Sequence, residues 1–270
     1  MFTLILAESS LEIVPQELQS HPSVTSYCKR NKKKSSEVLL DNSWHFAAMK
    51  GISNEIKRGR PDITHLSLLS ICNTPLYQQN KIKVFVHTIN NQVITLGEQV
   101  RLPKSYHRFQ GIIEKLFKEQ KIELLDKKLL EIENMTFEEL INKINPKQLI
   151  GFSTEGKSST FEESVKTISE DSCIVIGGFQ KGHFDEKIKN KFNRIEKLSE
   201  NSLETHVVLS RIIYEYEKTI FMYVKKFSFL CSHSIAWLVF GVSNPVTRVR
   251  IPLTACNIVQ VFPITNIISQ

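Results

Sequence analysis

Cysteine is scarce in this chain and forms no motif. The 270 residues include five cysteines, and no two of them stand in CxxC spacing. A disulfide framework uses paired cysteines, and a structural zinc site uses closely spaced thiolates. The cysteine pattern therefore argues against both classes and predicts a reducing compartment.

Long apolar segments are also lacking. Residues 227–242 form an apolar run, but it falls short of the ~20 residues that a spanning helix needs and is interrupted by serines and a histidine. Pro245, Pro252 and Pro263 argue against one long helix in this region. The apolar start of the chain is too short for a signal peptide and is followed by the acidic Glu8. We therefore do not expect a membrane protein.

Acidic residues are missing from the end of the chain. Residues 219–270 contain no Asp or Glu, and their four bases are Lys225, Lys226, Arg248 and Arg250. The net charge is +7, so this segment carries +4 and the first 218 residues carry 7 − 4 = +3. Because the body of the chain is only mildly basic, a polyanionic partner would have to be recognised through local patches.

The composition that remains is that of a globular protein with alternating strands and helices. Hydrophobic content is 41% and charged content is 23%, which permits a sizeable core. Apolar and β-branched runs predict strands near residues 3, 38, 84, 93, 149, 174 and 196. Helical spacing predicts helices at 43–49, 63–71, 109–117, 127–145, 161–168, 185–192 and 203–218. This alternation indicates an α/β fold with a largely parallel central sheet.

Local signals predict several caps and one turn. Ser43, Ser105 and Ser202 precede predicted helices, and Asp62 stands where a capping residue before residues 63–71 would stand. Asn90 and Asn91 separate two alternating runs, which predicts a β-hairpin.

One stretch, residues 173–184, joins a buried strand to three glycines. The apolar run ends at Gly177 and Gly178, and Gly182 follows. Glycines directly after a buried strand let the backbone turn tightly and approach a ligand. The pattern is typical of a cofactor loop, but an ordinary strand-to-helix turn uses glycine for geometry alone. Both interpretations stay open at this point.

A basic run occupies residues 28–34. Its five bases are Lys29, Arg30, Lys32, Lys33 and Lys34. Such a run is usually a solvated loop, and the alternative is a flexible arm that contacts phosphates. The sequence alone does not choose between them.

Several motifs follow one another in order through the body of the chain. The most specific are Arg-Pro-Asp-Ile-Thr-His at 60–65 and Arg-Leu-Pro at 101–103. Others are Gly-Phe-Ser at 151–153, Ile-Gly-Gly-Phe at 176–179 and Tyr-Glu-Tyr-Glu at 214–217. Their order and spacing resemble the pseudouridine-N(1)-specific rRNA methyltransferases of small-subunit ribosome biogenesis, which belong to the SPOUT class. The resemblance covers residues 1–218.

The resemblance implies a SPOUT-type α/β fold knotted into a trefoil, and a homodimer. It makes residues 1–219 the methyltransferase domain and leaves 220–270 as an irregular C-terminal extension of unknown structure. It also implies that S-adenosylmethionine, with no metal, lies in the knot, and that residues 151–153 form a neighbouring wall. The implied cofactor-binding residues are Gly177, Gly182, Ile195, Glu196, Lys197, Leu198, Ser199 and Glu200.

For the RNA, the resemblance implies phosphate and base contacts at Arg60, Arg101, Lys104 and Arg108. Arg60 and Asp62 are the implied catalytic pair, with Asp62 holding the arginine in place, and no general base is assigned. Arg101, Lys104 and Arg108 step by three and four, so they would share one face if the backbone is helical or nearly so there. Lys104 stands where the family commonly has an arginine.

The implied activity is methyl transfer to N(1) of a pseudouridine in small-subunit rRNA. An alternative is an rRNA-binding assembly factor in which methyl transfer is weak or lost. A third interpretation, a membrane-tethered protein, depends only on the apolar run at 227–242. The expected location is the cytoplasm, or the nucleolus if the source is a eukaryote.

Overall fold

The computed structural model describes residues 2–125 and 127–221, and the backbone of two short strands at 237–240 and 247–250. Contacts between Cα atoms divide the chain into two units, Met1–Thr219 and Ile220–Gln270.

Eight strands of the first unit form one mixed sheet. They are β1 (Phe2–Ser9), β2 (Ile82–Thr88), β3 (Gln92–Leu96), β4 (Lys121–Leu124), β5 (Lys127–Asn134), β6 (Gln148–Ser158), β7 (Ser172–Gly177) and β8 (Arg194–Lys197). Their order across the sheet is β4-β5-β3-β2-β1-β7-β6-β8. β2, β1, β7, β6 and β8 run parallel, whereas β3, β5 and β4 add antiparallel pairs at one edge. The predicted α/β fold with a largely parallel sheet is confirmed.

Helices connect these strands. Those of the described residues are α1 (Pro22–Asn31), α2 (Asn42–Met49), α3 (Pro61–Cys72), α4 (Pro75–Gln78), α5 (Tyr106–Glu119), α6 (Phe137–Ile144), α7 (Phe161–Lys166), α8 (Glu186–Lys189) and α9 (Thr205–Ile220). Short 3₁₀ turns at Gln16–Leu18, Ser35–Glu37 and Glu55–Lys57 lie between them.

The core lies around the two central strands. Every residue of β1 is buried, and β7 pairs with it in parallel register from Thr3–Cys173 to Ala7–Gly177. Its apolar residues are consecutive from Leu4 to Ala7, as is usual for a parallel strand that is covered on both faces. Phe2 meets the ring of Tyr216 edge to face at 4.4 Å, which packs α9 against the sheet.

Two segments differ from the secondary structure predicted. The helix predicted at 127–145 is wrong for its first half, because Leu130 and Ile132 alternate with more exposed residues and pair with β3 as β5. The strand predicted near residue 38 is only an isolated antiparallel bridge between Ile13 and Leu39. The β2–β3 hairpin is confirmed, with Asn91 at a φ of 56°.

The caps also differ. Asp41, not Ser43, caps α2, and its Oδ1 accepts the Ser43 N–H at 2.9 Å. Ser105 is the N-cap of α5, although its side chain makes no capping hydrogen bond. The prediction for Ser202 is wrong because α9 begins at Thr205.

The second unit contains one described element pair, the antiparallel strands β9 (Trp237–Phe240) and β10 (Thr247–Arg250). The rest of the apolar run at 227–242 and the three tail prolines lie outside the described residues. Among the helices that can be described, none is long and apolar enough to cross a membrane. The trefoil knot stays a prediction, since strand order alone does not show whether the chain passes through a loop.

Candidate functional site

A cavity of about 340 Å³ opens where β7 and β8 lead into their following loops, beside the middle of β6. Four segments line it: residues 152–154, 176–184 except Gly178, 196–203 except Glu200, and the start of α9 at Thr205 and Val208. β7 and β8 both pair in parallel with β6, and parallel strands end at the same edge of a sheet, so two loops that are distant in sequence meet there.

The structure brings most of the predicted cofactor residues to this cavity. Gly177, Gly182, Glu196, Lys197, Leu198 and Ser199 line it. Ile195 and Glu200 do not: Ile195 pairs with Gly151 within the sheet, and Glu200 is exposed and bonds Lys197 Nζ at 2.5 Å. The predicted neighbouring wall is present at Phe152 and Ser153.

Two glycines set the shape of the cavity wall. Gly182 has a φ of +101°, a left-handed conformation that residues with a Cβ rarely adopt. At Gly177 an added Cβ would lie 2.7 Å from the ring of Phe179, which itself lines the cavity. A side chain at Gly177 would therefore displace the aromatic wall.

Polar groups complete the wall. Thr205 Oγ1 donates to Gly177 O at 2.8 Å. This bond ties the start of α9 to residues 177–184, which we call the glycine loop. Glu196 Oε1 lies 2.7 Å from Arg194 Nε, whereas its buried Oε2 has no hydrogen-bond partner among the described residues. A buried oxygen without a donor is costly, so this atom is suited to accept a hydrogen bond from a ligand. The resemblance implies that the start of the last helix, where Glu204, Thr205 and His206 replace residues common in the family, shapes the adenine pocket, and Thr205 lines the cavity.

Glu8, near the end of β1, binds the backbone where the glycine loop ends. Its Oε2 accepts the Asp185 N–H at 3.1 Å, and its Oε1 accepts from Lys57 Nζ at 2.8 Å. The same ammonium group lies 4.8 Å from the centroid of the Phe179 ring. The end of β1 therefore connects the cavity loop to the turn Glu55–Lys57.

A second ion pair fixes the residue after that turn. Arg58 donates from Nε and Nη2 to the two carboxylate oxygens of Glu12, each at 2.7 Å. Asn90 Nδ2 adds a bond to Glu12 Oε2 at 3.0 Å. The hydrogen bonds to Glu12 raise the pKa of Arg58, with burial opposing them.

The predicted catalytic pair is formed. Arg60 donates from Nε and Nη2 to Asp62 Oδ1 and Oδ2 at 2.8 and 2.7 Å. The hydrogen bonds to Asp62 raise the pKa of Arg60, and the charges of Glu204 and Asp41 add to this effect. Glu204 directly precedes Thr205, one of the two α9 residues that line the cavity. Asp62 is not a helix cap, since it is the second residue of α3 and bonds the side chain of Arg60 instead.

The other predicted RNA-binding residues are exposed, but they do not share a helix face. Arg101 and Lys104 lie in the segment before α5, and only Arg108 belongs to that helix. The expectation of a common helical face is therefore wrong, because α5 begins at Tyr106.

α3 holds this segment in place. His65 Nε2 is 2.8 Å from Pro103 O, and its ring stacks on Phe109 at 4.4 Å. Tyr106 donates its hydroxyl hydrogen to Asp41, and burial together with this hydrogen bond raises its pKa. Arg60 at the start of α3 and the cations before α5 are thus parts of one packed frame.

The basic run at residues 28–34 is more ordered than a loop or a flexible arm. Lys29 and Arg30 belong to the last turn of α1, and Lys32 caps that helix in a left-handed conformation.

In the part of the chain that is described, no group of three His, Cys, Asp or Glu residues could hold a metal ion.

Comparison with known proteins gives consistent matches over the first unit. The family model described as EMG1/NEP1 methyltransferase matches residues 4–217. The ribosomal RNA small subunit methyltransferase Nep1 of Thermococcus sibiricus is 41% identical over 186 residues, which are 68% of this chain and 84% of that protein. The protein of the same name from Saccharolobus solfataricus is 40% identical over 210 residues, which are 77% of this chain and 93% of that one.

A solved structure matches the fold. The crystal structure of Archaeoglobus fulgidus Nep1 bound to S-adenosylhomocysteine is 33% identical in sequence and superposes with a TM-score of 0.72. The match covers 80% of this chain and 97% of the other.

Proposed function

The chain belongs to the EMG1/NEP1 methyltransferase family, and on that premise we propose that it methylates N(1) of a pseudouridine in small-subunit rRNA. S-adenosylmethionine is the methyl donor, and the reaction is part of small-subunit biogenesis. The observation that carries the proposal is the cavity of about 340 Å³ at the ends of β7 and β8 and beside the middle of β6.

The cavity residues fit the donor. The glycine backbone at 177 and 182 can approach it closely, and Phe152, Phe179 and Phe184 offer apolar surface to the adenine ring. The unpaired Glu196 Oε2 would accept a hydrogen bond from a hydroxyl or ammonium group of the molecule. Bound S-adenosylmethionine supplies a methyl group on a positively charged sulfur.

Arg60 is the residue that we assign to the acceptor base. N(1) of pseudouridine must lose its proton, and the negative charge then spreads to the ring carbonyl oxygens. Asp62 binds Nε and Nη2 of Arg60, so Nη1 remains for the substrate. A guanidinium held in this way stabilises developing negative charge without reorganising. Asp62 acts as a positioning residue, and the proposal assigns no general base.

Arg101, Lys104 and Arg108 would position the RNA. They are exposed cations beside α3 and α5, and phosphate contacts of this kind fix the orientation of RNA without reading its sequence. The target base would leave its stack to reach the cavity.

The direct test is methylation of a synthetic hairpin that contains one pseudouridine. We expect N(1)-methylpseudouridine in the digested product by mass spectrometry, and none from the same hairpin with uridine, whose N(1) is bonded to the sugar. If titration calorimetry shows S-adenosylmethionine binding but the pseudouridine hairpin stays unmethylated, the assembly-factor alternative is favoured.

The homodimer and the cellular location remain proposals. Four large apolar side chains within residues 44–66 are exposed, Trp44 by 43%, Phe46 by 60%, Ile56 by 58% and Leu66 by 45%. An exposed apolar patch favours a protein interface where its side chains are contiguous, and light scattering of the Phe46→Glu variant against the parent tests a dimer. A cytoplasmic location, or a nucleolar one in a eukaryote, stays a prediction.

A further inference from the structure

The end of α1 carries a cationic surface that the proposed methylation site does not use. Four bases here are exposed, and none forms an ion pair with another described residue: Lys29, Arg30, Lys32 and Lys34. We call these four residues the α1 basic surface.

The fold holds this surface in a fixed position. Lys32 has a φ of 52°, and Lys33 N–H bonds Cys28 O at 3.0 Å, so the chain turns back sharply after the helix. Lys33 then donates to the carboxylate of Glu114 in α5, which also accepts the Leu39 N–H at 3.2 Å. Because both sides of the turn are anchored, an anion would bind here without having to order the backbone first.

Helix capping alone does not account for these charges. Cations in the last turn of a helix interact favourably with its dipole, which explains Lys29 and Arg30. Lys32 and Lys34 lie beyond the helix, where the benefit of the dipole declines and mutual repulsion remains. A cluster of exposed cations that lacks carboxylate partners is suited to a polyanion.

The α1 basic surface adjoins α5, the helix that also carries Arg108, with Glu114 and Arg108 about 120° apart around the helix axis. Glu114, the partner of Lys33, follows Arg108 by six residues of α5, or about 9 Å along the helix axis. Gln110 Nε2 bonds Tyr27 Oη at 3.1 Å and fixes α1 to the same stretch of α5. Successive phosphates of one strand advance about 3.4 Å along the axis of a duplex, so a short RNA stem is long enough to cover a separation of about 9 Å.

We propose that the α1 basic surface binds phosphates of the rRNA stem beyond the methylated loop, as a second RNA contact of this chain. The proposal rests on the proposed function, because it takes RNA to be the substrate. The partner is recognised through backbone charge, since exposed Lys and Arg side chains without a shaped pocket do not read bases.

The test uses the full chain with Lys29, Arg30, Lys32 and Lys34 all changed to Gln, and leaves Lys33 in place to keep its bond to Glu114. Two RNAs are compared, a minimal pseudouridine hairpin and the same hairpin on a longer rRNA stem. For the longer RNA we expect Kd to rise about tenfold or more, and the slope of log K against log salt to lose about two to four units. Kd and methylation rate for the minimal hairpin should stay within about twofold, because only phosphates beyond it are lost.

A matched control removes four exposed lysines elsewhere, Lys83, Lys127, Lys157 and Lys187, also by change to Gln. If the control loses as much affinity for the longer RNA, or if the α1 variant weakens both RNAs equally, the proposal is overturned. Failure of the unaltered protein to methylate either RNA would instead contradict the proposed function, while the difference in binding between the two variants would still test this surface.

Discussion

Three cations near the start of α3 each bind a carboxylate, but they do so in different surroundings. The pairs Lys57–Glu8 and Arg58–Glu12 are buried, with side chains at most 11% exposed. In the third pair Arg60 is 22% exposed and Asp62 is 40% exposed. Breaking a buried pair leaves an uncompensated charge, whereas an exposed pair adds little to stability. The pair that contributes least to folding is therefore the one that a substrate can reach.

The two buried pairs also determine where Arg60 lies. They tie the turn Glu55–Lys57 and Arg58 to the end of β1 and the residues that follow it. Gly59 has a φ of +66°, and its carbonyl accepts the Asn42 N–H at 2.9 Å. The backbone before Arg60 is thus held from both sides. Stability measurements report on the buried pairs that hold it, and methylation rates report on Arg60 itself.

The largest expected effect is on folding. Glu12→Ala leaves Arg58 buried without its partner, so we expect the free energy of unfolding to fall by about 3–5 kcal/mol in urea titrations. Glu12→Met combined with Arg58→Met removes both charges and should recover at least half of this loss. A single variant that stays within about 1 kcal/mol of the parent would show that the buried pair is not structural.

The next effect is on catalysis. Arg60→Ala should lower the rate of methyl transfer to the pseudouridine hairpin by about 10²–10³-fold, as expected for loss of one charge-stabilising donor. Its free energy of unfolding should change by less than about 1 kcal/mol, because the pair is partly exposed. Arg60→Lys keeps the charge without the fork and should be intermediate. Parental turnover in Arg60→Ala would remove Arg60 from the proposed mechanism.

A third test uses the pH dependence of the free energy of unfolding, through His87, which is buried next to Glu8. Burial lowers the pKa of His87 to about 4, with its hydrogen bond to Asn91 opposing the shift, and its Nδ1 accepts the Glu8 N–H at 3.4 Å. In the unfolded chain the pKa is about 6.5. The stability from neutral His87 is therefore complete above pH 6.5 and is lost as the pH falls towards 4.

We expect unfolding free energy to drop by about 2.5 kcal/mol between pH 7 and pH 4.5 from this group alone. His87→Gln does not titrate and should show a correspondingly shallower pH profile. Parallel profiles for the parent and the variant would mean that His87 is not the source of the acid sensitivity.

The comparison also shows what sequence could predict. The glycine loop was predictable because its signals, a buried strand followed by Gly177 and Gly182, are local. The Glu8–Lys57 and Glu12–Arg58 pairs join residues 49 and 46 positions apart, which no periodicity reveals. The residues of β5 predict a helix because Lys, Glu and Leu favour helices, although Leu130 and Ile132 alternate with polar residues as in a strand. Arg60 and Asp62 came from the resemblance alone.

The smallest expected effect is on cofactor affinity, and it concerns the backbone of the cavity rather than a charged pair. An added Cβ at Gly182 would lie 3.3 Å from the flexible end of Ile56, so crowding is minor and the φ of +101° is what resists Ala. We expect Gly182→Ala to weaken S-adenosylhomocysteine binding by about 5- to 10-fold, or roughly 1 kcal/mol. Gly111→Ala is the matched control, because its Cβ would meet nothing within 4 Å in α5 and should stabilise the helix by up to about 1 kcal/mol. Equal affinity in calorimetry for the two variants would mean that the left-handed turn at Gly182 does not shape the cofactor cavity.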